Sequence, residues 1–316
     1  MIAPPDNSSL YRSAGGYQQV VAHYDATLRG MGIPYESVYV ETRFGPTHAI
    51  VSGNEQGKPV VLWHGLNANA TTWASWIPAL APAYRVYALD TIGGMGKSAP
   101  SRLAKGGPAY GQWAAEALEG LGLTRANMIG ASNGGWLILK LGSVAPDVIG
   151  SAVLMSSAGF MSISIATVLR MIPRSLFKPP EAIARGLLEL LSPPDLPPDP
   201  FLLAFFELIV VSGFRSEQMA PALSKAEIEK LTAPTYLLMG QYENSFNPYK
   251  ALERGLELLP NVIAAEIVPG VGHAMVHRQP DWVIARVTSF LKRHASEDHR
   301  HEFDGRGSAS ANRSFP

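Results

Sequence analysis

Hydrophobic positions change period several times along the chain, and each change marks an element. Val20, Val21, Tyr24 and Leu28 recur at helical spacing over residues 17–29, after a polar, Pro- and Gly-bearing arm of residues 1–16. Short strand patterns at 38–42 and 47–51 flank the Phe44-Gly45-Pro46 turn, and a second turn follows at 53–57. Together they predict an antiparallel opening hairpin. A continuous apolar run then appears at 59–63, a second buried strand at 84–89, and further strands at 151–155, 235–239 and 264–268. A run without alternation predicts a strand buried on both faces. Helical patterns lie between them at 72–80, 108–121 and 248–259, and a last one covers 280–293. Strands alternating with helices at this interval predict an α/β fold, a mostly parallel doubly wound sheet with helices on both faces.

From 159 to 232 the alternation stops. This insertion is apolar and helical in pattern, with Ile163, Ile165, Val168, Leu169, Met171 and Ile172, then Leu187, Leu188, Leu190 and Leu191, then residues 201–214. A proline-dense hinge at 192–200 divides it. We expect a cap of three or four helices over the sheet, with residues 1–158 and 233–294 as the two parts of the core. Residues 295–316 are polar and are expected to be a disordered tail. No internal repeat is found.

Bulk properties narrow the classes. The 316 residues are enough for one large α/β domain with an insertion. Lys plus Arg equals Asp plus Glu, 26 each, so no net field favours nucleic acid or another polyanion. There are no cysteines, which excludes disulfides and thiolate chemistry and fits a reducing compartment. The first six residues lack a basic region followed by an apolar core, so no signal peptide is expected. The most apolar stretch, 201–211, is interrupted by Glu207 and is far shorter than the roughly 20 residues that span a bilayer. The expectation is a soluble cytoplasmic protein without membrane insertion. The apolar insertion is also a candidate homodimer surface.

The chemistry concentrates around residues 127–136. Gly130-Ala131-Ser132-Asn133-Gly134 has the form G-x-S-x-G, preceded by the apolar Met128-Ile129 and followed by a helix-like apolar pattern from Trp136 to Leu141. Strand, tight turn and helix is the context in which this spacing exposes a strained serine hydroxyl. Side chains two residues before and after would collide with the neighbouring strand and helix, so glycine fits there. Ser132 is the candidate nucleophile. It needs a base and an orienting acid, and in a doubly wound sheet such groups collect at the carboxyl ends of strands. After the 264–268 strand the chain reads Pro269-Gly270-Val271-Gly272-His273, making His273 the candidate base, with His277 the lesser alternative on a surface turn. After the 235–239 strand Glu243 is the only carboxylate on its loop and the candidate acid; Asp90 is the rival, better suited to shaping its own loop. Two N–H donors for an oxyanion are expected at Asn133 and Leu66, with His64 a structural residue of the Leu66 loop.

Two other patterns carry less. Gly96-Lys97-Ser98 ends like a phosphate-binding loop, but the full pattern needs glycine where Thr91 stands. His294, His299 and His301 fall at or in the polar tail, where solvation is the ordinary reading. No metal or cofactor is expected.

These residues resemble the α/β-hydrolase superfamily over roughly residues 35–293. The resemblance rests on Leu62-Trp63-His64-Gly65-Leu66 with Trp73 downstream, Leu89-Asp90-Thr91-Ile92-Gly93, the Gly130–Gly135 motif, Met239-Gly240-Gln241-Tyr242-Glu243 and Gly270-Val271-Gly272-His273-Ala274. Family members usually carry aspartate where this chain has Glu243, and the loop after Asp90 is one residue longer than the common form. The resemblance implies a serine branch of acyl chemistry with a helical cap, since epoxide hydrolases and haloalkane dehalogenases place aspartate at the elbow. The expected function is cleavage of a carboxylic ester, lactone or thioester of a hydrophobic small-to-medium substrate through an acyl-enzyme. The alternative is a non-hydrolytic cyclase, lyase or acyltransferase, or a ligand-binding receptor on the same fold.

Overall fold

A computed structural model of the chain describes residues 2–163, 167, 178–194, 196–278 and 280–294. Ile165, Val168, Leu169, Met171, Ile172 and the 295–316 tail lie outside the described residues. The strands are β1 (Tyr35–Val40), β2 (Thr47–Gly53), β3 (Lys58–Trp63), β4 (Tyr84–Leu89), β5 (Ala126–Ala131), β6 (Ile149–Met155), β7 (Thr235–Tyr242) and β8 (Val262–Gly272). They form one sheet in the order β1-β2-β4-β3-β5-β6-β7-β8. The β1–β2 and β2–β4 pairs are antiparallel, and every other neighbouring pair is parallel. The chain steps outward from β3 to β4 and then returns to place β5 on the other side of β3. That reversal opens a crevice at the carboxyl ends of β3 and β5.

The described helices are α1 (Ala14–Gly30), α2 (Trp76–Leu80), α3 (Ala109–Gly120), α4 (Asn133–Val144), α5 (Pro180–Leu191), α6 (Pro200–Val211), α7 (Lys225–Ile228), α8 (Pro248–Leu258) and α9 (Pro280–His294). Strand alternation divides the core between the two faces of the sheet. Val61 and Trp63 pack with Trp113 of α3 and Leu137 of α4, while Val60 and Leu62 pack with Leu28 of α1, Trp76 of α2 and Phe290 of α9. Helix α4 is buried from Asn133 through Gly142, and the one charge it takes inside, Lys140, is met by Glu227 at 2.7 Å. Among the described residues, no helix is long and apolar enough to cross a membrane.

Three elements differ from the sequence pattern. The expected helix at 72–80 is two pieces, a 3-10 turn (Ala70–Trp73) and α2. Asn69 accepts from the Thr71 N–H and Thr72 returns its hydroxyl to the Asn69 carbonyl, which closes the first turn on itself. The N-terminal arm is docked rather than loose. Asn7 is buried and donates to the Gly96 and Ser98 carbonyls, and Leu10 and Tyr11 pack with Phe205 and Phe214. Strands β7 and β8 run on beyond their apolar runs as far as the Tyr242–Gly272 pair. Glycine permits this close approach, since a Cβ on Gly240 would stand 2.4 Å from the Gly272 carbonyl oxygen.

Asp90, at the end of β4, ties this framework together. One carboxylate oxygen accepts from Ala70 N–H at 2.8 Å; the other meets Lys97 N–H, the Tyr24 hydroxyl and His48 Nδ1. Burial alone pushes its pKa up, but the His48 bond and charge, with the other donors, outweigh that and hold it below the ordinary value. A lowered native pKa contributes stability above the unfolded carboxylate's pKa, and that contribution is lost as pH falls through the native value. Asp90→Ala strips the charge from a fully buried pair and leaves four donors unmet. We expect a loss of about 3–5 kcal/mol in urea unfolding, a size typical of breaking a buried pair. A loss under about 1 kcal/mol would show that the network is not structural.

Candidate active site

The site begins with a local conflict in the backbone. Ser132 links β5 to α4 at φ 53° and ψ −114°, a conformation that L residues rarely adopt. Its N–H is fixed to the Met155 carbonyl of β6 at 2.9 Å, and its carbonyl accepts from Gly135, Trp136 and Ala158 N–H groups. The turn is tight enough to exclude side chains on either side. A Cβ on Gly130 would meet the Gly134 backbone at 2.6 Å, and one on Gly134 would stand 1.9 Å from the Trp63 carbonyl oxygen. Only glycine at both positions lets α4 start directly over β3 and β5. The serine side chain therefore projects at the crevice, at the amino end of a helix.

Glu243 and His273 arrive from the extended ends of β7 and β8. Because Tyr242 pairs with Gly272, the two residues that follow lie side by side. His273 Nδ1 is 2.6 Å from Glu243 Oε2, and Nε2 is 2.9 Å from Ser132 Oγ. The longer arm of glutamate is folded back, with Oε1 accepting from Ser245 N–H at 2.8 Å. The Glu243 side chain is fully buried, whereas the His273 side chain keeps 17% exposure. Burial opposes the imidazolium of His273, but the charge and hydrogen bond of Glu243 outweigh it and raise the pKa. Burial likewise pushes Glu243 up, and His273 with the Ser245 bonds brings it below the ordinary value. The arrangement can accept a proton from Ser132 and hold the resulting cation.

The Leu66 loop runs beside the elbow. A Cβ on Gly65 would lie 3.7 Å from Ser132 Cβ. His64 is buried and fixes this loop, with Thr91 N–H donating to Nε2 and Nδ1 facing the Gly65 carbonyl. Nε2 as acceptor makes Nδ1 the protonated nitrogen, and burial lowers its pKa and keeps the ring neutral. Asn133 follows the serine as the first residue of α4, so its N–H lies among the helix donors that have no intrahelical partner.

The other candidates fall elsewhere. Asp90 serves the network described above. His277 is half-buried, not on a free surface turn; it stacks on Phe201 at 5.2 Å, and burial pushes its pKa down to about 4. Gly96-Lys97-Ser98 wraps Asp90 instead of a phosphate cradle: Lys97 N–H and Ser98 Oγ both bond Asp90, and a Cβ on Gly96 would strike its carboxylate at 2.2 Å. Among the described residues no cluster of three or more metal-ligating side chains occurs. Sequence reading passed over three residues beside the elbow. Lys105 donates to Asn133 Oδ1 at 3.2 Å, and Asn67 exchanges hydrogen bonds with Glu217. Asn67 alone left a faint trace, as a residue suited to left-handed backbone next to the expected donor.

Comparison with known proteins bears on the family of the chain. The family model of the alpha/beta hydrolase family matches residues 60–286. The chain is 30% identical to carboxylesterase YbfK of Bacillus subtilis, over 85% of this chain and 92% of that protein. It is 28% identical to the Bacillus subtilis carboxylesterase nap, over 85% of this chain and 90% of that protein. The crystal structure of YbfK superposes with a TM-score of 0.77 at 27% identity, covering 88% of this chain and 98% of that one. The naproxen esterase of Bacillus subtilis superposes at 0.76 with 25% identity, covering 88% and 98%. With its sheet order, its serine turn and these relatives in agreement, the chain belongs to the alpha/beta hydrolase family.

Proposed function

We propose that the protein is a serine carboxylesterase in which Ser132 is the nucleophile, His273 the general base and Glu243 the orienting acid. One observation carries the reading. A continuous hydrogen-bonded line from Glu243 through His273 ends on a serine hydroxyl at a strained elbow. Ser132 Oγ attacks the acyl carbon while His273 Nε2 takes its proton. The negative charge that develops on the carbonyl oxygen is met by the N–H groups of Leu66 and Asn133, each worth roughly 3 kcal/mol in such sites. His273 then protonates the leaving alcohol and activates the water that frees Ser132. The carboxylesterase relatives spanning most of the chain support hydrolysis over cyclase, lyase, acyltransferase or receptor roles.

Residues 159–232 act in this reading as a cap. Several of their contacts fall on the loops that carry Glu243 and His273. Asn244 donates to the Leu190 carbonyl at 3.2 Å, a Cβ on Gly272 would lie 2.5 Å from the Leu191 carbonyl oxygen, and Phe201 of α6 stacks on His277. The apolar composition of α6 supports a hydrophobic small-to-medium ester. A cytoplasmic location fits the absence of cysteine. Half-buried and exposed apolar positions of α6, such as Val211, offer a homodimer contact.

Two outcomes test this reading. Ser132→Ala should reduce kcat on p-nitrophenyl acyl esters by on the order of 10⁴-fold or more; turnover persisting in the mutant would sink the nucleophile assignment. The reaction needs neutral His273, so kcat/KM should fall on acidification through a pKa above the ordinary 6.5. In Glu243→Gln the carboxylate no longer favours the imidazolium, so His273 followed by NMR should titrate at lower pH than in the unaltered protein. An unmoved titration would remove Glu243 from the site.

A further inference from the structure

The donor at Leu66 sits on a loop, and loops hold donors in place only when something fixes them. His64 fixes the Gly65 side of this loop. The other side is Asn67, which is held at φ 55°, in left-handed backbone. Asparagine tolerates that region better than most residues but does not choose it unaided. Its partner is 150 positions away. Asn67 N–H donates to Glu217 Oε1 at 3.1 Å, and Glu217 N–H donates to Asn67 Oδ1 at 2.9 Å. Each residue thus satisfies the other's main chain with its own side chain.

Glu217 belongs to the stretch that leads from α6 back to the core, and that stretch is itself bolted down. Arg102, on the loop after β4, donates to the Ser216 carbonyl at 3.0 Å and to the Arg215 carbonyl. Arg215 N–H returns to the Leu10 carbonyl at 2.8 Å. Gly94 passes beside the carboxylate, where a Cβ would stand 3.4 Å from Oε1. The residue keeps 8% of its surface, and Oε2 is buried without a hydrogen-bond partner. Carrying a buried carboxyl is costly if its purpose is only to pack. Burial raises its pKa, with Lys105, the Asn67 N–H and Arg102 pulling the other way. The clamp needs Oε1 only as an acceptor, which a neutral carboxyl or an amide also supplies.

We propose that Glu217 is a positioning residue for the oxyanion hole, clamping Asn67 so that the neighbouring Leu66 N–H is aimed at the developing oxyanion. The proposal rests on the esterase reading above. It makes the returning end of the insertion part of the catalytic framework, with no contact to substrate required. Charge development occurs after binding, so the effect belongs in kcat rather than KM.

The test measures kcat and KM on p-nitrophenyl butyrate, with kcat referred to sites titrated by a fluorophosphonate so that inactive protein is not counted. Glu217→Ala should lower kcat at least about tenfold with KM within about twofold, the size expected when a donor is displaced but not deleted. Glu217→Gln, whose amide oxygen still accepts from Asn67 N–H, should recover most of that loss. Asn67→Gly keeps the left-handed backbone and deletes only the acceptor for Glu217 N–H. It should lower kcat about threefold or more and stays informative where the alanine variant folds poorly. The double variant should be no slower than Glu217→Ala. Full kcat in both Glu217→Ala and Asn67→Gly, or a loss confined to KM, would overturn the clamp. Absence of fluorophosphonate labelling at Ser132 in the unaltered protein would instead overturn the esterase reading, so the two failures are distinguishable.

Discussion

The backbone of Ser132 is the constraint on which the rest of the site depends. A non-glycine residue at positive φ costs of order 1–3 kcal/mol and persists only where its surroundings over-determine it. Here they do. The strand partner Met155 holds the N–H, three N–H groups hold the carbonyl, and the bare backbones of Gly130 and Gly134 let α4 seat against Trp63. The burial of α4 on nearly all sides stabilises the arrangement far beyond its local cost. The same geometry puts the Asn133 N–H in the first turn of α4, so strain and helix placement cannot be varied separately.

Among the described residues there are two Ser–His–carboxylate lines, and their difference is instructive. Ser37 Oγ lies 2.7 Å from His48 Nε2, and His48 Nδ1 lies 2.8 Å from Asp90. The distances match those at Ser132, yet the surroundings do not. Ser37 sits on the regular edge strand β1, paired in register with β2, with no elbow and no helix starting beside it. The Asp90 carboxylate is spent on Ala70, Lys97 and Tyr24 as well. His48 is wholly enclosed, whereas His273 retains an open side. Hydrogen-bond order is thus shared by the two lines; strained backbone, an adjoining helix start and access are found at Ser132 alone of the two serines.

What could be seen in the sequence follows from the range of each interaction. Strands buried on both faces, the G-x-S-x-G turn and the short stretches carrying Glu243 and His273 are written in neighbouring residues, because their causes are local sterics and periodicity. The docked N-terminal arm was not legible, since Asn7 finds its acceptors 89 and 91 residues away. The extended ends of β7 and β8 were hidden for a different reason. Gly240 and Gly272 read as loop residues one strand at a time, and only the assembled structure reveals that glycine permits the close approach of Gly240 to β8 and of Gly272 to Leu191. Nothing within several residues of Glu217 or Lys105 announces the burial of either.

Residues 159–232 attach to the core through both main-chain and side-chain contacts. Several of those between described residues use the main chain of this segment as acceptor. The carbonyls of Leu190, Pro197, Arg215 and Ser216 are met by core side chains from Asn244, Arg278 and Arg102. A carbonyl is present whatever the residue, so side chains at these positions can change without loosening the docking. Glu217, like Thr167, Glu227 and Lys230, contributes a side chain instead, and Glu217 does so next to Leu66. Substitution at Leu190, Pro197, Arg215 or Ser216 therefore leaves these carbonyl contacts in place, whereas substitution at Glu217 or Glu227 removes one.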